Sequence, residues 1–163
     1  MVACEESQVV CKAFRSHGHE AYSCDIQPCS GGYPEWHIQD DVLPLLKLNW
    51  DLIIAHPPCT YMSNAGACRM YPHKGKINND RLKKAMQAKE FFMQFYNANC
   101  EHICIENPVP LKVVGLPEKT QVIQPYEYGE PFAKKDLFVV KRTSKSYTNE
   151  YYSAYRAICL WEF

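Results

Sequence analysis

The chain has 163 residues, which fits one domain with its own core. A hydrophobic share of 47% and a charged share of 22% exclude a disordered chain, and no apolar run approaches the ~20 residues that span a bilayer. Lysine plus arginine equal aspartate plus glutamate at 18 each, without the basic excess that a tight duplex-DNA binder usually carries.

Nine cysteines, odd in number and irregular in spacing, point to free thiols rather than a secreted disulfide scaffold. Met1–Gln8 does not read as a signal peptide. A cytoplasmic protein without repeats, linkers or low-complexity segments is expected.

In chain order, strand and helix signals alternate, which predicts an α/β fold with a mostly parallel sheet covered by helices. Val2–Cys4 reads as the end of a first strand. Ser7 is placed to cap a helix over Gln8–Ser16, with Val9, Val10, Ala13 and Phe14 at helical spacing and Gly18 as its stop. Glu20–Cys24 alternates toward a second strand that ends at Asp25, before a Pro/Gly-rich loop over Pro28–Pro34. Trp36–Leu46 reads as a short strand or turn followed by a short helix.

Leu52–Ala55 is the clearest strand, a short apolar run that His56-Pro57-Pro58 stops, because proline has no N–H to continue a ladder. Cys59 then stands on a stiff turn just past a strand's carboxyl end, where open α/β sheets bind ligands. It is a candidate nucleophile, against the plainer reading of a small buried hydrophobe. A long polar loop, Thr60–Asn79, follows. Asn79 or Asp80 is placed to cap a helix to about Asn97, with a core-facing stripe of Leu82, Ala85, Met86, Phe92, Met93 and Tyr96. Ile103–Ile105 is the next strand, ending in Glu106-Asn107-Pro108; Gln121–Ile123 and Leu137–Val140 are weaker strands. Lys134, Lys135, Lys141, Arg142 and Lys145 make a diffuse basic segment, most simply a solvated surface.

The order Pro-Pro-Cys, Glu-Asn-Pro, then Tyr128-Gly129-Glu130-Pro131 followed by lysines resembles the cytosine-C5 DNA methyltransferases. The closest likeness is to the short bacteriophage and prophage members. Five blocks carry it in the family's order: Val2–Gln8, Ser23–Pro28, Ala55–Gly66, Ile105–Pro108 and Gln121–Lys134. The resemblance implies a Rossmann-like S-adenosylmethionine-dependent methyltransferase fold, with helices on both faces and truncated at both ends. It also implies DNA, single-stranded or with a flipped cytosine, as partner, and a bacterial host cell as location.

Carried over position by position, the resemblance implies that Cys4, Glu5, Glu6 and Ser7 form the loop receiving S-adenosylmethionine. The family's Phe-x-Gly-x-Gly is here Ala3-Cys4-Glu5-Glu6-Ser7. Asp25 matches the acid that takes the ribose hydroxyls, Asp41 the acid near the adenine amino group, and Ile26 and Pro57 complete the cofactor set. Cys59 matches the nucleophile and Glu106 the acid at the ring's N3 edge. Pro58, Asn107, Tyr128 and Lys134 match substrate-side positions. The family's Gln-x-Arg-x-Arg, its target-recognition domain and its closing segment have no counterpart in this sequence.

After Lys135 the likeness breaks. Similar phage proteins continue with something like KTCLWLKGLP. One set of codons permitted for Lys134–Tyr152, read one base further on, spells KKTCLWLKGLPNLTPTNII. The expectation is therefore a frameshift product from about Asp136 onward, with a methyltransferase-like domain over 1–140, a divergent tail over 141–163, and Leu137–Val140 still fit to form the last strand. Two other readings compete: a non-catalytic binding protein on the same fold, and a zinc site from His17, His19, Cys24 and Cys29, whose spacing matches no standard zinc pattern. No metal is expected.

Overall fold

A computed structural model describes residues 1–124 and 136–141. The strands are β1 (Val2–Ala3), β2 (Ser23–Asp25), β3 (His37–Gln39), β4 (Leu52–Ala55), β5 (His102–Pro108), β6 (Gln121–Ile123) and β7 (Asp136–Lys141). The helices are α1 (Val9–Ser16), α2 (Val42–Leu45), α3 (Ala67–Met70) and α4 (Asn79–Tyr96), with 3₁₀ turns at Pro34–Trp36 and Asn64–Gly66. The strands form one seven-stranded sheet in the order β3-β2-β1-β4-β5-β7-β6. All pairs from β3 to β5 are parallel; β7 runs antiparallel to both β5 and β6. This is an α/β architecture with a mostly parallel mixed sheet, compatible with a Rossmann-like fold.

Alternation along each strand builds two cores. Val2, Ile54, Cys104 and Phe138 join Val10, Cys11 and Phe14 of α1. Their neighbours Ala3, Ile53, Ala55, Ile103, Ile105 and Val139 join Val42 of α2, Met70 of α3 and Ala85, Phe92 and Phe95 of α4. One face of the sheet therefore packs α1, and the other packs α2, α3 and α4. The fully buried Phe92 and Phe95 each contribute on the order of 1.5–3 kcal/mol from burial alone. Phe95, absent from the stripe expected for α4, is among its deepest residues because Ala85, Phe92 and Phe95 lie at spacings of seven and three, on one helical face.

Several boundaries differ from expectation. Ser7 does not cap α1: the N-cap position is Gln8, in a left-handed conformation (φ 58°), with no side-chain bond of its own. Glu5 takes over that role, its carboxylate accepting from the backbone N–H of Val10 at 2.5 Å and Cys11 at 3.2 Å. Gly18 does terminate α1, at φ +88°, with its N–H on the Arg15 carbonyl at 2.9 Å. The Thr60–Asn79 stretch is no plain loop but holds the Asn64–Gly66 turn and α3. The cap of α4 is Asn78, whose Oδ1 accepts from Arg81 N at 3.1 Å, and not Asn79 or Asp80. β5 continues through Glu106 to Pro108, because β7 pairs with it as far as Asp136. Of the tail expected over 141–163, Lys141 ends β7; the rest lies outside the described residues, as do Tyr128 and Lys134. Leu137–Val140 does form a strand.

Candidate active site at the carboxyl ends of the central strands

The sheet order reverses between β1 and β4: the chain steps outward through β2 and β3, then returns to the other side of β1. Loops leave in opposite directions at such a point and open a crevice at the carboxyl ends of the strands. The register fixes what borders it. Ala3 is level with Cys24 and Ala55, and Ala55 with Ile105. The next residue on each strand therefore makes one row across the sheet: Asp25, Cys4, His56 and Glu106. Asp25 and Glu106 stand three strand spacings apart, roughly 14 Å. One molecule can lie against the β1–β2 end while another reacts at the β4–β5 end.

At the β4–β5 end, Pro57 is buried, Pro58 exposed and Cys59 half-buried. The Cys59 carbonyl accepts from Met62 N and Ser63 N, both at 2.9 Å, which closes a tight turn. That turn is stapled to the segment following Glu106. Ser63 bridges Pro110, Asn64 N donates to Val109 O at 2.7 Å, and Leu111 N donates to Met62 O at 2.7 Å. Cys59, on the turn after β4, and Glu106, in the carboxyl-terminal half of β5, thus belong to two segments tied to each other, although 46 residues lie between them in sequence. Arg81 of α4 holds the same turn from outside. Its Nη2 donates to Thr60 O at 2.7 Å, and its guanidinium lies 5.1 Å from the Tyr61 ring centroid. Gly66 makes room for it, since a Cβ there would stand 2.4 Å from Nη2. Asn107 is buried in β5 and donates from Nδ2 to Pro108 O at 2.5 Å.

At the β1–β2 end, Cys4 has the left-handed φ of 59°, uncommon for a residue with a Cβ. Its N–H and that of Glu5 both reach the Cys24 carbonyl, at 2.8 and 3.2 Å. Burial, then the charges of Asp25, Cys24 and Asp41, push the Cys4 thiol up to about 12, so it stays protonated at neutral pH. Asp25 and Asp41 are thus both within electrostatic reach of Cys4. Asp25 Oδ1 accepts from Gln27 N at 2.9 Å, and Asp41 Oδ1 caps α2 through Leu43 N at 3.0 Å. Ile26, beside Asp25, is 76% exposed. Glu5 turns into the start of α1, while Glu6 accepts from Ser30 Oγ at 3.0 Å. Ser7 is half-buried, its carbonyl packed on Gly31 so closely that a Cβ there would sit 2.4 Å away.

The structure adds residues that the sequence reading missed. His56 occupies the row between Cys4 and Glu106, with its N–H on the Ala3 carbonyl at 3.0 Å; its place before Pro-Pro at the end of a parallel strand is the signal that could have found it. Gln8 and Arg81 carried no local signal, since both act on residues more than 20 positions away. The zinc alternative has no support in the geometry. Cys24 Sγ donates to Asp40 O, Cys29 Sγ donates to Gln8 Oε1, and His19 packs on Phe14. Among the described residues, no group of three His, Cys, Asp or Glu is placed to hold a metal ion, every cysteine is a free thiol, and no helix is long and apolar enough to cross a membrane. Comparison of the chain with family models and with curated proteins finds no match.

Proposed function

We propose that this chain transfers a methyl group from S-adenosylmethionine to carbon 5 of cytosine in DNA, on a Rossmann-like methyltransferase fold. The observation that carries the reading is that the turn holding Cys59, just after β4, is bridged at Ser63 to Pro110, just after the neighbouring parallel strand β5 that carries Glu106. The motif resemblance supports it independently.

The residues at the β1–β2 end fit the cofactor. Two carboxylates, Asp25 and Asp41, lie within electrostatic reach of Cys4, and Ile26 beside Asp25 is an exposed apolar side chain. Carboxylates accept ribose hydroxyls and an adenine amino group, and Ile26 offers a face for the ring. Backbone groups of Cys4–Ser7 and the buried Pro57 would bound the remainder. When bound, S-adenosylmethionine supplies an electrophilic methyl group on a sulfonium.

The chain's own chemistry is covalent. The Cys59 thiolate adds to carbon 6 of the base, and the electron pair of the 5,6 double bond is pushed toward carbon 5 and N3. Glu106 lends a proton at N3 and stabilises the charge that develops there. Carbon 5, otherwise a poor nucleophile, becomes enamine-like. When a water molecule later takes the carbon-5 proton, its electron pair re-forms the 5,6 double bond, the Cys59 thiolate leaves and the N3 proton returns to Glu106. Cysteine suits both halves, being a strong nucleophile and a good leaving group. The base must be flipped or single-stranded to reach such a crevice.

The test is transfer of label from S-adenosylmethionine to a cytosine oligonucleotide. The native chain is expected to transfer, and Cys59→Ser to lose transfer while melting at the native temperature. Asp25→Ala is expected to weaken S-adenosylhomocysteine binding by roughly 1.5–3 kcal/mol. An unchanged rate in Cys59→Ser removes the thiol from the mechanism. One observation favours the second reading, a binding protein without catalysis. Glu5 and Ser7 stand where the resemblance has glycines, and the Glu5 side chain is directed into α1. A native chain that neither binds S-adenosylhomocysteine nor transfers label would establish that reading instead.

A further inference from the structure

Away from the β4–β5 end, on the α1 face, lies a hollow of about 690 Å³ between α1 and the turn before β3. Lys12, Arg15, His19, Tyr33 and Trp36 are among the residues that line it. The two aromatic rings are stacked, with centroids 4.1 Å apart and planes 6° from parallel. The Arg15 guanidinium lies 4.3 Å from the Trp36 centroid, so Trp36 is held between a cation and Tyr33. Arg15 is fixed in turn by donating from Nη1 to Ala21 O at 3.0 Å. Lys12 stands three residues earlier on the same helical face and donates to Gly31 O at 3.2 Å. Glu20 stands among these residues, its carboxylate accepting from Tyr22 OH at 2.9 Å.

The Tyr33 ring combines exposure with rigidity. It is 43% exposed, yet its backbone is held from both sides by a fully buried residue: Gln8 Nε2 donates to Tyr33 O at 2.8 Å, and Tyr33 N donates to Gln8 Oε1 at 3.1 Å. An aromatic side chain free to collapse onto the surface would cover itself. This one is locked in place with a ring presented beside two long cations.

We propose that this surface binds single-stranded nucleic acid, with a base stacked on the exposed face of Tyr33 and neighbouring phosphates on Lys12 and Arg15. Rings accept any base face, and the cations follow the backbone, so the site is tolerant of sequence. With few cations involved, its salt dependence is shallow, about 0.7 in the log–log slope per phosphate neutralised on a single strand. The proposal does not rest on the Cys59 chemistry. It gives the chain a grip on a strand through residues other than those of the Cys59 turn.

The experiment is fluorescence anisotropy of labelled oligothymidylate and oligouridylate with the full chain. Both are expected to bind, and whichever binds more tightly is the occupant class. Tyr33→Ala is expected to weaken binding about tenfold or more, and an abasic strand of equal length and charge to bind correspondingly worse than the base-bearing one. Neither oligothymidylate nor oligouridylate carries a cytosine, which separates this site from the proposed active site. Photocrosslinking the native chain to an iodinated-uracil strand reads the site without any variant, and the crosslink should fall on Tyr33. Absence of binding, equal affinity for the abasic strand, equal affinity of a folded Tyr33→Ala, or crosslinks confined to other residues would each overturn the proposal.

Discussion

At the scale of single residues, Glu5 is the most consequential side chain outside the proposed chemistry. Burial pushes its carboxyl up to about 7, against the opposing effect of the Val10 and Cys11 N–H bonds; the charge of Glu6 raises it further and that of Lys12 lowers it. The neutral form is therefore favoured in the folded state relative to the unfolded one. The folded chain binds more protons than the unfolded chain between about 4.5 and 7. Stability from this group is fully present below the unfolded value and is lost as pH rises through that window, by up to roughly 3 kcal/mol. Glu5→Gln keeps one acceptor for the helix and removes the titration. Its unfolding free energy is expected to be flatter than the native chain's between pH 4.5 and 7 and to exceed it above pH 7. Denaturant titrations across that range check this; parallel native and variant profiles would show that Glu5 is not titrating there. Ser7 looked like the cap because serine before an apolar run is the common pattern. A glutamate reaching N2 and N3 from outside the helix leaves no comparable mark in the sequence.

At the scale of elements, the loops around the crevice are positioned by long-range polar clamps rather than by their own turn chemistry. Gln8 ties the β1–α1 loop to the β2–β3 loop through Tyr33 and Cys29, while Arg81 and the Ser63–Pro110 bridge tie the Cys59 turn to α4 and the end of β5. Gln8→Ala removes a donor and an acceptor inside the fold and is expected to cost about 1–3 kcal/mol. The loss should be local first: amide exchange at Tyr33 and Trp36 should accelerate well before that of β4. Unchanged exchange at those two amides would show that the loop holds itself. The sequence told enough to place Cys59, because two prolines must end a strand wherever it lies. It set Glu106 wrongly past a strand end, since the partner that prolongs β5 is β7, some 30 residues later in the chain. Local pattern cannot report a pairing of that range.

At the scale of the whole molecule, the parallel half of the sheet was legible from alternating apolar runs and helical stripes, and the reversed strand was not. Leu137–Val140 read only as a weak strand, yet β7 lies between β5 and β6 and joins them. It sends Phe138 into the α1-side core with Ile54 and Cys104, and Val139 into the opposite core with Ile103 and Ile105. The Phe138 carbonyl also accepts from both Thr120 N, at 2.9 Å, and Thr120 Oγ1, at 3.0 Å. Both cores therefore depend on a strand that closes the sheet late in the chain. Phe138→Ala leaves the backbone pairing in place and empties a fully buried ring site, so it is expected to cost about 3–5 kcal/mol. That is a large part of the ~5–15 kcal/mol that holds a domain of ordinary stability together. Val122→Ala on the neighbouring edge strand removes a partly exposed side chain and should stay within about 1 kcal/mol. Urea denaturation of the two variants beside the native chain separates them. If Phe138→Ala proves as mild as Val122→Ala, β7 is not a structural member of the sheet, and the strand order β5-β7-β6 is wrong at that edge.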